Sequence, residues 1–326
     1  MSKLKNQKRK FLYYVKNCIF LFIPKIFYRL KIKSIMSQQY DQKDIDLRVN
    51  YYIKIKNKFK VSSKSMTITE LWNHQIFKFN NNLIKNKKIK KHTTYFFDLY
   101  TIFAYFTLEK KIDFKFGDIK EACQNPTIVK SRPIMDSQNS IIMKLNKIRH
   151  FNFVNDTTTF INKKNSAVWR GYAKNSERRE YFIKNYYQVP LFNIGQHSPI
   201  TDEPWSKSYM PIEEQLSYKF IFCLEGADTA TSMKWIMSSN SACVMPKPKY
   251  ETWFMEGTLQ PDFHYIKIND DFSDAEEKIK YYSKHTDKAL KIITNAQNYV
   301  DQFQNKKREK IISILVMNRY FSLSGQ

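Results

Sequence analysis

The chain has 326 residues, 42% of them apolar, and a formal net charge of +25. That length supports two ordinary domains with real cores, and that apolar content excludes a disordered chain. The charge predicts attraction to polyanions, but zinc-finger spacing, an RNP-like aromatic motif and a basic heptad region are all missing, so nothing favours nucleic acid.

Lys3, Lys5, Lys8, Arg9 and Lys10 precede an aromatic and aliphatic run from Phe11 to Leu30. It does not read as a signal peptide: no small-residue cleavage site follows, Lys16 and Lys25 interrupt it, and Pro24 breaks it. The uninterrupted run falls short of the roughly 20 apolar residues that a spanning helix needs. Two readings stay open for residues 1–36: a basic amphipathic helix on an anionic membrane face, or a first helix packed on the domain.

Residues 41–49 read as a loop or a helix start, and 51–60 as a strand or an exposed helix. Residues 80–91 read as a solvated Lys/Asn connection. The aromatic run 93–106 has no interleaved basic residues, which favours a core helix over a base-stacking platform. Ile112 to Phe116 alternates as a strand that ends at Gly117-Asp118. Residues 126–133 read as a strand entering a basic turn, and 141–148 as a helix. The polar stretch 156–164 is the candidate domain boundary.

Ala167 to Gly171 reads as a strand ending in Arg170-Gly171, and Ser176-Glu177-Arg178-Arg179 as a capped helix start. Arginines at such a junction suit a diphosphate, because guanidinium pairs bidentately with phosphate oxygens. A solvated helix start is the other reading. Residues 197–211 form an irregular loop of the kind that lies over a site. Ser273 to Glu276 is a capping-box pattern, 287–302 an amphipathic helix, and 311–321 a last apolar segment. Cys18, Cys123, Cys223 and Cys243 lack metal-ligand spacing and read as reduced, buried thiols of a cytosolic protein.

Residues 217–268 organise the rest. Lys219 to Leu224 is a short apolar strand ended by Glu225-Gly226, and a helix is expected over 230–237 behind Asp228, Thr229 and Thr231. Further strands are expected at 242–245 and 263–268. Strand, tight turn, helix, strand, helix, strand is the pattern of a parallel α/β half-domain, with ligands outside the carboxyl ends of its strands. A capped core helix is the plainer reading of the turn, which carries one Gly and no Gly-Lys-Ser/Thr.

Read together, these residues resemble glycosyltransferase family 90, in its lipopolysaccharide-type branch, a family that also holds fungal capsule xylosyltransferases and animal protein O-glucosyltransferases. The carrying motifs are Trp169-Arg170-Gly171 with Glu177-Arg178, Tyr218 to Gly226, Ser232-Met233-Lys234-Trp235, Tyr250 to Phe254, and His264-Tyr265. They run in order over about residues 114–300.

The resemblance implies an α/β, GT-B-like architecture: two Rossmann-like domains facing across a cleft. Residues 37–160 would bind the acceptor and 161–304 the nucleotide sugar, with 305–326 a C-terminal helix packing back on the first domain. It implies an inverting hexosyl transfer from a UDP-sugar to the lipopolysaccharide or lipooligosaccharide core, with no metal or other cofactor. Asp118 matches the family's general base. Arg170, Gly171, Arg178, Gly226, Thr229, Thr231, Ser232, Lys234 and Lys247 are implied around the diphosphate, and Glu225 and Glu251 at sugar or ribose hydroxyls. The eukaryotic branch carries arginines where this chain has Ala173 and Ser232. The implied setting is the cytoplasm, peripheral on the inner face of a Gram-negative cytoplasmic membrane. The charge then serves an anionic membrane surface, and no nucleic acid is expected. The alternatives are a transferase acting on another surface glycan or a protein, and a basic membrane- or nucleic-acid-binding protein without catalysis.

Overall fold

The computed structural model describes residues 3–37, 41–73, 93–135, 137–174, 176–198 and 201–326. The expected connection at 80–91 lies outside them. The chain forms two compact units: unit 1 is Met1–Arg9 with Arg149–Gln304, and unit 2 is Lys10–Ile148 with Asn305–Gln326.

Unit 2 opens with α1 (Lys3–Phe22), whose first residues belong to unit 1, then α2 (Ile26–Met36) and α3 (Gln42–Tyr52). The carboxylate of Asp41 caps α3 by accepting from the Asp44 amide, so 42–52 is one helix, and the buried Ile53 and Ile55 leave it in irregular backbone. Strands β1 (Met66–Thr67) and β2 (Lys111–Ile112) form an antiparallel pair. The aromatic run is α4 (Thr93–Phe103), and its Tyr95, Phe96, Leu99 and Phe103 are buried. Strands β3 (Phe114–Lys115), β4 (Thr127–Val129) and β6 (Ser140–Ile142) make a three-stranded parallel sheet, with β5 (Ser131–Pro133) between β4 and β6 in sequence.

Two expectations change here. The alternation at 112–116 splits between β2 and β3, which pair with different partners. The helix expected at 141–148 is the strand β6 followed by a single turn, α5 (Lys147–His150). Ser140, Ile141 and Ile142 are all buried, and a strand buried on both faces has no period to distinguish it from a helix.

The last helix, α11 (Lys306–Leu323), packs on α3 and α4. The Glu309 carboxylate there meets Arg48 and Lys144, both at 2.5 Å. Phe321 lies against Phe103 and Phe106, with ring centroids 5.4 and 5.0 Å away.

The break between α1 and α2 falls at Ile23-Pro24-Lys25, and the helices bend there by 101°. Lys25 fastens the corner by donating to the carbonyls of Phe20, Leu21 and Ile23. One face of the pair packs inward. The Tyr13 hydroxyl donates to Asp98 on α4 at 2.8 Å, Asn17 is buried, and the Phe20 and Tyr28 rings meet Tyr100 and Tyr105. The opposite face is apolar and exposed. Cys18 is also exposed and Cys123 half-buried, so only Cys223 and Cys243 are the buried thiols that the sequence suggests.

Unit 1 is a five-stranded parallel sheet. In chain order its strands are β7 (Lys164–Gly171), β8 (Phe192–Gln196), β9 (Tyr218–Phe222), β10 (Ala242–Met245) and β12 (Ile266–Lys267), and their order across the sheet is β8-β7-β9-β10-β12. Helix α6 (Glu177–Tyr186) joins β7 to β8, the short α7 (Ile212–Gln215) precedes β9, and α8 (Met233–Met237) joins β9 to β10. Strand β11 (Tyr250–Thr252) precedes β12, and α9 (Ala275–Lys284) and α10 (Thr286–Asp301) follow it. The core on one face joins Trp169, Ile194, Phe220 and Phe222 to Phe182 of α6 and to Ile279 and Tyr282 of α9. Parallel strands covered by helices read as continuous apolar runs, which is why β9 and β10 were visible in the sequence. The expected capping box does not form: Asp274 accepts from the Asn269 amide, and the Ser273 hydroxyl turns to Asp271.

Candidate active site

Numbered within unit 1, the strand order is 2-1-3-4-5, so the winding reverses between β7 and β9. In open parallel sheets the crevice outside the carboxyl ends of such a strand pair is where ligands bind. Four stretches follow those strand ends: Tyr172 and Ala173 after β7, the start of α6, Cys223 to Thr231 after β9, and Asn269 to Asp271 after β12.

Arg179 joins the two central strands. Its Nε and Nη2 donate to the Leu224 carbonyl at 3.2 and 2.6 Å, and its Nη1 to the Tyr172 carbonyl at 3.0 Å. Burial, set against weaker neighbouring charges, lowers its pKa to about 10, so it remains a cation at neutral pH. Gly226 is small because of it: a Cβ there would sit 3.0 Å from Arg179 Nη1. The sequence suggested Arg178 for this edge, and only the turn of α6 decides which of the adjacent arginines spans the strands. Arg178 lies beside it in an ion pair with Asp270, 4.0 Å from the Glu225 carboxylate and over the Phe272 ring. Lys249 also reaches Asp270, at 3.1 Å. The Asn269 to Asp271 turn therefore supplies the counter-charge for two basic groups at the rim.

Glu225 points its Oε1 at the amides of Lys249 and Tyr250, at 3.0 and 3.1 Å, and so ties the end of β9 to β11. Burial raises its pKa to about 7 against those hydrogen bonds and Arg178, which pull it down. Thr229 is buried, and its hydroxyl has no hydrogen-bond partner among the described residues. Thr231 and Ser232 are half-buried, and Ser232 is the N-cap of α8 without a side-chain capping bond. The expected helix at 230–237 contracts to Met233–Met237, a five-residue helix that offers little dipole.

Several sequence-derived candidates are committed elsewhere. Lys234 is wholly buried and meets Glu256 at 2.5 Å; Glu256 in turn accepts from the amide and hydroxyl of Thr252. That pair fastens the turn after β11 and removes Lys234 from the groups able to meet a phosphate. Arg170 donates to the Trp169 carbonyl at 2.9 Å and to the Asn193 carbonyl and side chain, both at 2.7 Å, leaving a buried Nε–H without a partner among the described residues. Gly171 answers to packing: a Cβ there would run into the Trp169 ring, with Cη2 at 2.8 Å. Glu251 is wholly buried and engaged, and Lys247 is exposed. Within the expected 197–211 loop, residues 201–211 return to the end of β8, where the Gln196 amide donates to the Trp205 carbonyl and the Lys207 amide to the Gln196 carbonyl. Beneath it a 440 Å³ cleft is lined by Ala173, Lys174, Lys184, Gln196, Asp202 and Trp205.

In unit 2, Asp118 stands just past β3, after Gly117, whose φ of 105° suits glycine alone. Its side chain is 42% exposed, while its partner Lys130, just past β4, is 1% exposed and donates to Oδ1 at 2.7 Å. An exposed carboxylate is thus fixed by a buried ammonium at the carboxyl end of a parallel sheet. The sequence pointed to the aspartate and missed the lysine. The signal was there: a lysine directly behind a buried Ile-Val strand needs a counter-charge within reach. Among the described residues, no group of three His, Cys, Asp or Glu side chains is placed to hold a metal ion.

Comparison with known proteins supplies the remaining findings. Residues 137–323 match the model of the glycosyl transferase family 90. The O-glucosyltransferase LpsA of Dichelobacter nodosus is 41% identical over 236 residues, covering 72% of this chain and 74% of that protein. The uncharacterized protein 179R of Invertebrate iridescent virus 6 is 27% identical over 140 residues, covering 41% of this chain and 11% of that one. With a family model over more than half its length and a relative this similar over most of both chains, the protein belongs to glycosyl transferase family 90 and is a glycosyltransferase.

Proposed function

We propose that the protein transfers a glucosyl residue from UDP-glucose to the lipopolysaccharide or lipooligosaccharide core, with inversion and with Asp118 as general base. The observation that carries this reading is the exposed Asp118 carboxylate held by buried Lys130 just past a parallel strand. Glucose is favoured by the name of the Dichelobacter relative. In the reaction, the acceptor hydroxyl oxygen attacks the anomeric carbon from the face opposite the UDP. The new C–O bond forms as the bond to the β-phosphate oxygen breaks, and the electron pair leaves with UDP. Asp118 takes the hydroxyl proton.

The leaving diphosphate needs positive charge and hydrogen-bond donors. We assign it to the edge of unit 1, with Arg178 and Lys249 exchanging Asp270 for the incoming phosphates, and with Thr229, Thr231 and Ser232 supplying hydroxyl or amide donors. Glu225 is assigned to a ribose or sugar hydroxyl. The plan is GT-B-like, with donor chemistry in unit 1, acceptor chemistry in unit 2 and no metal in the step. The acceptor is a phosphorylated lipid, which places the work on the cytoplasmic face of an anionic membrane.

The test is UDP release from UDP-glucose, UDP-galactose and UDP-xylose, with core oligosaccharide as acceptor and EDTA present. Wild type should release UDP with UDP-glucose, and Asp118→Asn should lose about 10²- to 10⁴-fold in turnover while still unfolding cooperatively in urea, at a midpoint lowered by the loss of the Lys130 counter-charge. Full turnover in Asp118→Asn would remove the general-base assignment. Dependence on added metal would remove the metal-free mechanism, and transfer only to a protein or another glycan would replace the acceptor.

A further inference from the structure

The exposed apolar side chains of this protein are not scattered. Among the described residues nineteen large hydrophobic side chains are exposed, and ten of them fall between Phe11 and Leu30. Single exposed hydrophobes are normal on a soluble surface, whereas a contiguous set marks a contact. On α1 the set is Phe11, Leu12, Val15, Ile19 and Phe22, a spacing that confines them to a stripe roughly 100° wide. On α2 it is Ile26, Phe27 and Leu30, again one face. Phe22 is 86% exposed, Leu30 69% and Phe11 66%. Exposed Lys8, Lys10, Lys16, Lys31 and Lys33 accompany the two stripes, within a chain of net charge +25.

We propose that this outer face of the α1–α2 hairpin lies in the headgroup–acyl boundary of one leaflet of a bilayer carrying anionic phospholipid. An apolar stripe accompanied by lysines, on a helix whose other side is polar or packed, is the amphiphile that settles in the interface plane. The lysine stems lie along the acyl boundary while the ammoniums meet the headgroup phosphates. Crossing is disfavoured by the same geometry. No single described helix is long and apolar enough to span, and the pair that reaches that apolarity together bends by 101°. The inner face of α1 is already engaged with Asp98 and Tyr100 of α4. The inference specifies the membrane partner of the proposed function but rests on none of its donor or catalytic assignments.

The full chain would be sedimented with vesicles of phosphatidylethanolamine and phosphatidylglycerol, and with phosphatidylcholine vesicles. Wild type and Asp118→Asn should both bind the anionic vesicles. The triple variant Ile19→Gln/Phe22→Gln/Phe27→Gln changes only exposed side chains and should fold. It should lose binding by roughly tenfold or more, while its UDP release in solution stays at the wild-type rate. Lys16→Glu/Lys31→Glu should lose the preference for anionic vesicles. Equal binding by the triple variant and wild type would overturn the inference, as would a wild type that binds neither vesicle. So would a wild-type dimer in light scattering that the triple variant dissolves without any vesicle binding in either protein, because a second copy would then cover the face.

Discussion

Two lysine–carboxylate pairs, one in each unit, carry opposite meanings. Lys234 and Glu256 of unit 1 are both wholly buried, and Thr252 completes their hydrogen bonding. Lys130 and Asp118 of unit 2 join a buried ammonium to a carboxylate that solvent reaches. Burying two charges costs desolvation that their attraction barely returns, so the first pair fixes a turn and has nothing left for a substrate. The second keeps one member in water, where an acceptor hydroxyl can approach it. Lys234 was one of several diphosphate candidates implied by the resemblance, beside Asp118 as general base. The burial of Lys234 withdraws it from that set.

The contrast can be broken at either pair. Lys234→Met leaves Glu256 buried without its cation and should cost about 3–5 kcal/mol of stability, read from a urea midpoint. A loss under 1 kcal/mol would mean that the turn does not depend on the pair. Asp118→Asn removes the charge but still offers Lys130 an amide oxygen at the solvent edge, so it should lower the midpoint less than Lys234→Met does while losing turnover as described above.

Glu225 sharpens the comparison, since it is a buried carboxylate with hydrogen bonds and only a distant cation. Its pKa is raised to about 7 from 4.5. Between those values the folded state holds a proton that the unfolded chain has released, so stability falls as pH rises from about 4.5 to 7 and is flat above. The span is on the order of 3 kcal/mol. Glu225→Gln keeps an oxygen for the Lys249 and Tyr250 amides and removes the titration. It should therefore gain on wild type between pH 5 and pH 8 in urea unfolding. A constant difference across that range would mean that the carboxylate is solvated.

Gly171→Ala is the smallest expected effect. Overpacking against Trp169 should cost about 1–3 kcal/mol, with any loss of donor binding following from that displacement. Weakened UDP-sugar binding at full stability would instead assign Gly171 to the ligand.

Legibility followed burial and period. β7, β9 and β10 were read from short apolar runs bounded by turns, α4 from a dense aromatic run without interleaved basic residues, and α10 from its amphipathic spacing. β6 was misread because all three of its residues are buried and leave no alternation. The motif residues of the candidate site were visible as types, yet their partners were not. Arg179 takes the strand-bridging place, Asp270 neutralises Arg178 and Lys249, and Lys130 fixes Asp118. The arginine and Asp270 pairings join residues well separated along the chain, which no local pattern encodes, whereas the Lys130 signal was local and was missed.

By itself the sequence determined the parallel α/β plan of unit 1, the family and the carboxylate after Gly117, since each rests on local composition and spacing, and it left the first segment open between a membrane-lying and a packed helix. The tertiary structure decided which of these groups is exposed. It sent the apolar body of α11 into the core of unit 2, with Glu309 buried between Arg48 and Lys144, and left Lys306, Lys307 and Lys310 exposed. It left a comparable run on α1 with one face packed and the other open. Burial is a property of what packs against a helix, and the packing partners of α11 (α3 and α4) lie more than two hundred residues away in the chain.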